Sequence, residues 1–205
     1  MNVMSRIMPD ATSMIRMDHT HVVAMFHRYR LDASPAKKRA IANGICLALE
    51  VHAKLEEEIF YPAMRKVDPD LVDKSIPEHN EMRRVIATLR EMEPTDPAFD
   101  RSVMELMRDV MRHVADEETM LLPDAERVLY DQLPELGARM TQRRMQLVAP
   151  HAGELALASA RTFPGVAIAI GGLMAFGLYF AGRALARPAS PLRRMNPRLL
   201  TARLG

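Results

Sequence analysis

Two short stretches of the chain set an imidazole four residues ahead of a carboxylate: His52-Ala-Lys-Leu-Glu56 and, sixty-one positions later, His113-Val-Ala-Asp-Glu117. Residues four apart on a helix stack on one face, so each stretch aims a nitrogen donor and an anionic oxygen donor in one direction. Each is half of a metal site. The duplication extends beyond the pairs. Glu56-Glu57-Glu58-Ile59-Phe60-Tyr61-Pro62 lies in register with Glu117-Glu118-Thr119-Met120-Leu121-Leu122-Pro123, and Asp18-His19 lies over Glu78-His79 at an offset of sixty. Val22, Met25, Phe26 and Tyr29 likewise lie over Met82, Val85, Ile86 and Leu89. The chain reads as two copies of a helical hairpin, each with a lone histidine on its first helix and HxxxE on its second. The candidate metal ligands are therefore His19, His52, Glu56, His79, His113 and Glu117.

Helices must position them, and four are legible. Their seams run Ile15, His19, Val22, Phe26, Tyr29; then Ile45, Leu49, His52, Glu56, Ile59; then Val72, Ser75, His79, Met82, Ile86, Leu89; then Val103, Leu106, Val110, His113, Glu117, Met120. Ser34-Pro35, Asp68-Pro69 and Asp96-Pro97 each supply an N-cap and a first-turn proline. Short turns between four such helices predict an all-α, up-down-up-down four-helix bundle. Each candidate ligand lies ~15–30 Å along its rod from the nearest turn, so antiparallel packing brings all six to similar depth. Pro77, just before His79, predicts a third helix that starts or bends there. Pro62 and Pro123 are expected to kink or end the second and fourth helices.

Six polar groups on apolar seams need compensation. A single seam histidine is more often a satisfied core residue than a ligand, and a buried His–Glu pair can be a structural ion pair. An ionised carboxylate buried without a partner costs several kcal/mol or more, however, and a pair of divalent or trivalent cations offsets that cost for the whole set. Other polar residues read as ordinary. His21, opposite His19, and His27, off the seam, read as solvated, with His21 the fallback ligand. Glu57, Glu58 and Glu118 read as a solvent face, with Glu118 the alternative to Glu117. Cys46 reads as a small buried apolar residue and the methionines as core filler.

Composition narrows the class. A net charge of +2 argues against nucleic acid as the main partner, and the absence of tryptophan with only nine glycines favours helices over sheet. One cysteine excludes an intrachain disulfide and any Cys-rich zinc or iron–sulfur site, which fits a reducing, cytoplasmic setting. The opening residues hold no apolar run that would serve as a signal-peptide core.

Asp18-His19-Thr20-His21 through Tyr29, His52xxxGlu56 through Pro62, Glu78-His79 and His113xxxGlu117, taken in that order, resemble the haemerythrin-like (HHE cation-binding) domain family. The similarity runs from about Ile15 to Leu147, Glu135-Leu-Gly-Ala-Arg-Met140 being similar to the family's closing helix. The resemblance implies a non-haem di-iron centre, oxo- or hydroxo-bridged, inside the bundle. Glu56 and Glu117 would bridge the ions, His19 and His52 would bind one and His79 and His113 the other. Oxygen-carrying members have a further histidine one turn before the third-helix ligand, where this chain has Ser75. With that ligand missing, each iron keeps five donors and an open position, which suits binding or turnover of O2, hydrogen peroxide or nitric oxide better than oxygen carriage. Imidazole and carboxylate without thiolate suit iron ahead of manganese or zinc. As an enzyme it would be an oxidoreductase of catalase/peroxidase-like or NO-reducing type with a redox partner that the sequence does not name. The alternative is a metal-dependent sensor or iron-handling module without turnover.

Beyond the bundle the character changes. Thr162 to Gly182 carries no charge and is long enough to cross a hydrocarbon core of ~30 Å as a helix. Its glycines offer a face for packing against another copy. Six arginines and no acid follow from Arg183 to the end. The expected organisation is a lead at 1–13, the bundle and closing helix at 14–147, a linker at 148–161, a hydrophobic, membrane-associated segment at 162–183 and an Arg-rich tail at 184–205. That places lipid against 162–205, with the metal domain cytoplasmic or, alternatively, the whole chain soluble.

Overall fold

A computed structural model describes residues 9–151 of the chain. These are all-helical, with no strand among the described residues. Residues 1–8 of the expected 1–13 lead, and the chain from 152 onward with the expected hydrophobic segment and arginine tail, lie outside the described residues. Within those described, no helix is long and apolar enough to cross a membrane.

Five helical rods make the fold of the described residues. α1 spans Ala11–Arg28. α2 spans Pro35–Leu55 and continues through a π-helical turn, Glu56–Phe60, into a last α-helical piece, Tyr61–Met64. α3 spans Pro69–Glu91. α4 spans Pro97–Asp116 and continues through a second π-helical turn, Glu117–Leu121, into Leu122–Val128. α5, Leu133–Val148, closes the fold and leads into a short 3₁₀ turn, Ala149–His151. The starts are set by side-chain caps: Asp10 accepts from Ser13 N–H, Ser34 from Lys37, Asp68 from Leu71 and Asp96 from Ala98. Each supplies an acceptor for one of the N–H groups that a helix start leaves without a partner.

Cross-links between the rods give their directions. Tyr29 at the end of α1 donates to Asp100 at the start of α4 (2.5 Å), and Arg16 near the start of α1 reaches Glu118 far along α4 (3.0 Å). Arg39 at the start of α2 donates to the carbonyls of Leu89 and Met92 at the end of α3 and lies over the Phe99 ring. α1 therefore runs antiparallel to α4, and α2 to α3, as in an up-down-up-down bundle. α5 packs on α1 and α2. Gly137 is where it meets the chain entering α1: a Cβ there would stand 2.4 Å from the Pro9 carbonyl oxygen.

The prolines behave differently from expectation. α3 runs as one α-helix through Pro77 and does not start there. Pro77 and Asp73, whose carbonyl loses its partner to the missing N–H, are both on the exposed side, where water can satisfy the carbonyl. Pro62 and Pro123 do not end their rods either. The π turn just ahead of each makes the Tyr61 N–H bond back to the Glu56 carbonyl and the Leu122 N–H to that of Glu117, and each proline then sits in the first turn of a fresh α segment. Both π turns begin on a candidate ligand.

The core is divided in two. One apolar cluster joins Met14 and Ile15 of α1, Leu55 to Met64 of α2, Val72 of α3, Leu121 to Leu129 of α4 and Leu133, Leu136 and Met140 of α5. The other joins Val22, Phe26, Ile45, Leu49, Met82, Ile86, Val103 and Val110 toward the opposite end. His19, His52, Glu56, Ser75, His79, His113 and Glu117, all buried, fall between the two on α1 to α4.

Candidate metal centre

The six candidate donors meet in this layer. None is more than 4% exposed. His52, Glu56, His79 and His113 bring donor atoms within 4.8 Å of one another, and so do His19, His52, Glu56 and Glu117. The closest imidazoles pair as His79 with His113 (centroids 4.6 Å, Nε2 to Nε2 3.1 Å) and His19 with His52 (centroids 5.0 Å). All four histidines turn Nε2 to a central acid or to one another. His52 Nε2 is 3.2 Å from Glu56 Oε2, and His19 Nε2 is 3.2 Å from Glu117 Oε2.

Proximity does not satisfy these atoms. His19 Nε2, both nitrogens of His52, Glu56 Oε1 and Glu117 Oε2 are buried without a hydrogen-bond partner. Burial and the charge of Glu117 push the Glu56 carboxyl well above its usual range, whereas Glu117, also opposed by burial, is held below its own by the His113, His19 and His52 rings. Burial pushes the His52 imidazole down to about 4 and lowers His79 as well. For His19 the Glu117 and Glu118 carboxylates outweigh burial and raise it. Imidazole nitrogens and carboxylate oxygens buried without hydrogen-bond partners in a dry layer are a donor set that a bound cation completes. The His/Glu groups could hold a metal ion.

Several residues read from sequence as solvated or left without a role belong to the centre. Glu57 and Glu118 are not a solvent face: Glu57 Oε1 lies 2.9 Å from His79 Nδ1, and Glu118 Oε1 lies 2.8 Å from His19 Nδ1. Glu118 thus sits behind an imidazole, and Glu117 faces the middle. Glu58 is exposed and pairs with Arg143 (2.6 Å). Glu78 Oε2 lies 3.1 Å from His113 Nδ1, and Asp18 Oδ2 lies 3.6 Å from His52 Nδ1. Tyr61, 2% exposed, donates to Glu117 Oε1 at 2.8 Å and stacks on His79. Its hydroxyl is also 3.4 Å from both Glu56 Oε2 and His79 Nε2. Two signals could have found these residues. The four acids are chain neighbours of candidate ligands and fall in register across the repeat, and Tyr61 is the polar member of a pair whose other member is Leu122. Ser75 is buried and donates to the Leu71 carbonyl (3.0 Å). His21 and His27 are exposed, and Cys46 is buried, which pushes its thiol up to about 11.

Comparison with known proteins agrees with this geometry. The family model for the Hemerythrin HHE cation binding domain matches residues 10–125, and the chain belongs to that family. A protein named DNA nickase from Nostoc sp. (strain PCC 7120) is 33% identical over 112 residues, covering 52% of this chain but only 31% of that protein. The crystal structure of a hemerythrin HHE cation binding domain-containing protein from Mycobacterium kansasii superposes with a TM-score of 0.61 at 19% identity, covering 78% of this chain and 98% of that one. The last likeness is one of fold.

Proposed function

We propose that the chain is a non-haem di-iron protein that binds or turns over O2, hydrogen peroxide or nitric oxide in the polar layer of its bundle. The observation carrying this reading is the set of buried His and Glu atoms that have no hydrogen-bond partner and point at one another. His19 and His52 would hold one iron, His79 and His113 the other, with Glu56 and Glu117 between; manganese or zinc fits the same donors less well. Bound iron would supply Lewis acidity and one-electron redox capacity. The protein's own part is positional. Two apolar clusters close the layer above and below and keep bulk water out. The Tyr61 hydroxyl, fixed on Glu117 Oε1, is a buried proton donor at the face where Ser75 leaves no further imidazole. An oxidoreductase of catalase/peroxidase-like or NO-reducing type fits this arrangement, with electrons from a separate redox partner where the reaction consumes them.

The test is iron per purified chain, oxo-to-iron charge-transfer absorption and peroxide consumption. Two irons per chain, lost on His113→Ala together with peroxide consumption, is the expected result. Iron well below two per chain and unaffected by that substitution would remove the di-iron reading.

A second reading is a metal-dependent sensor or iron-handling module. It is favoured by one contact: Arg144 of α5, the rod that leads toward the C-terminal segment, grips Asp18 beside His52. Metal-dependent protease sensitivity beyond residue 151, without peroxide turnover, would favour it. Lipid association through 162–205, with the metal domain cytoplasmic, is proposed alongside either reading. It rests on the uncharged Thr162–Gly182 stretch and the arginines after it. Retention of the chain in membranes through a carbonate wash is expected, and release by salt alone would oppose an embedded segment.

A further inference from the structure

The four imidazoles share an arrangement that donor number alone does not require. Each turns Nδ1 outward to a carboxylate carried by a neighbouring rod, and the carboxylates follow one another round the bundle. Asp18 of α1 faces His52 of α2, and Glu57 of α2 faces His79 of α3. Glu78 of α3 faces His113 of α4, and Glu118 of α4 faces His19 of α1. The circuit closes over the four rods that carry candidate ligands, α1 to α4. Each acid sits next in sequence to a candidate ligand, so the helix that presents a donor inward also braces the donor on the next helix.

Three of the braces are themselves held. Arg144 donates to both oxygens of Asp18, Arg83 Nη2 lies 2.5 Å from Glu57, and Arg16 Nε lies 3.0 Å from Glu118. Exposed His27, by contrast, turns its Nδ1 to the Val23 carbonyl of its own helix at 2.9 Å.

We propose that Asp18, Glu57, Glu78 and Glu118 are positioning residues, Glu57, Glu78 and Glu118 through hydrogen bonds and Asp18 through its charge 3.6 Å from His52 Nδ1, that hold the four imidazoles in the Nδ1–H tautomer with the Nε2 lone pair inward, and thereby set how tightly metal is retained. An ionised carboxylate accepts hydrogen bonds and donates none, so the imidazole nitrogen facing it must carry the proton. In the neutral ring the lone pair then lies on Nε2, the atom aimed at the centre. The carboxylate also increases ligand basicity and removes the rotational freedom that a ring would otherwise lose on binding. The inference rests on the metal reading above and adds to it which nitrogen binds and what fixes it.

The experiment uses the full chain and zinc, a diamagnetic ion. A long-range ¹H–¹⁵N spectrum of the zinc-loaded wild type is expected to show the four imidazoles protonated at Nδ1 and metal-bound through Nε2; zinc on Nδ1 of any of them overturns the proposal without need of a variant. In parallel, Asp18→Asn, Glu57→Gln, Glu78→Gln and Glu118→Gln are compared with Glu58→Gln, which removes an adjacent acid that instead pairs with Arg143. Chelator competition is expected to show zinc held about 10- to 100-fold less tightly in the four variants and unchanged in the control. The melting-temperature gap between metal-free and zinc-loaded protein should shrink with it. Zinc held within twofold of wild type in all four, even if the metal-free form melts lower, overturns the proposal while leaving the metal reading standing. A wild type that takes up neither zinc nor iron overturns both.

Discussion

Tyr61 is the most closely engaged side chain of the centre that is not one of the six candidate donors. Its hydroxyl meets Glu117, Glu56 and His79 inside a layer with almost no solvent contact. Tyr61→Phe keeps the ring and its stacking and removes the donor, leaving Glu117 Oε1 without the Tyr61 bond. Urea unfolding of the metal-free protein should show a loss of about 1–3 kcal/mol; an unchanged midpoint would mean that the bond contributes nothing to holding Glu117. At this scale the sequence was legible for residues that interrupt an apolar seam. His19, His52, Glu56, His79, His113 and Glu117 stand where leucine is normal, and all six are buried together. It was not legible for residues one step off the seam. A helical wheel turns Glu57 and Glu118 away from their own core, and only the approach of a second helix brings an imidazole to them.

Among the elements, α5 depends on a single small residue. Gly137 lets its backbone lie against Pro9 and Asp10, and any side chain there would meet main-chain atoms that cannot swing aside. Gly137→Ala should cost about 1–3 kcal/mol in chemical denaturation. The same loss should appear as weaker protection of Asp18, because Arg144 sits two turns further along the displaced rod. The helices themselves were readable from their caps, since Ser34, Asp68 and Asp96 each start a rod beside its proline. What proline does later in a rod was not. Pro77 tolerates an unpaired Asp73 carbonyl because that side is wet, and Pro62 and Pro123 are accommodated by widening the turn before them. Both outcomes depend on what packs outside the helix, which periodicity within one helix does not contain.

For the whole molecule, the polar layer between two apolar clusters means that metal and stability are linked. Loading raises stability by the free energy of binding to the folded form alone, about 2.7 kcal/mol when free metal is 100 times Kd. Chelation should therefore lower the melting temperature, and a melt indifferent to chelator would favour a purely structural bundle. Acid acts at the far end as well. Asp100 joins α1, α2 and α4 through Tyr29 and Lys38 (2.7 Å), and although burial opposes it, bonds from Lys38 and Tyr29 hold its carboxyl below the usual aspartate range. The folded form thus binds this proton less readily than the unfolded chain. Its contribution is complete above the unfolded value near 3.8 and disappears as pH falls through the lower folded value. Asp100→Asn should be destabilised at pH 7 and should converge with wild type as pH drops below about 3.8, measured by urea melts across that range.

The duplication carries a last consequence. Each hairpin owns two imidazoles and one inward acid, but its lone histidine is braced by an acid from the other: Glu118 serves His19, and Glu57 serves His79. A chain cut between Met92 and Asp96 would yield two fragments of nearly equal endowment, neither of them able to complete the circuit alone. For such halves the ion would be the fastener, and their affinity for each other would rise and fall with its concentration.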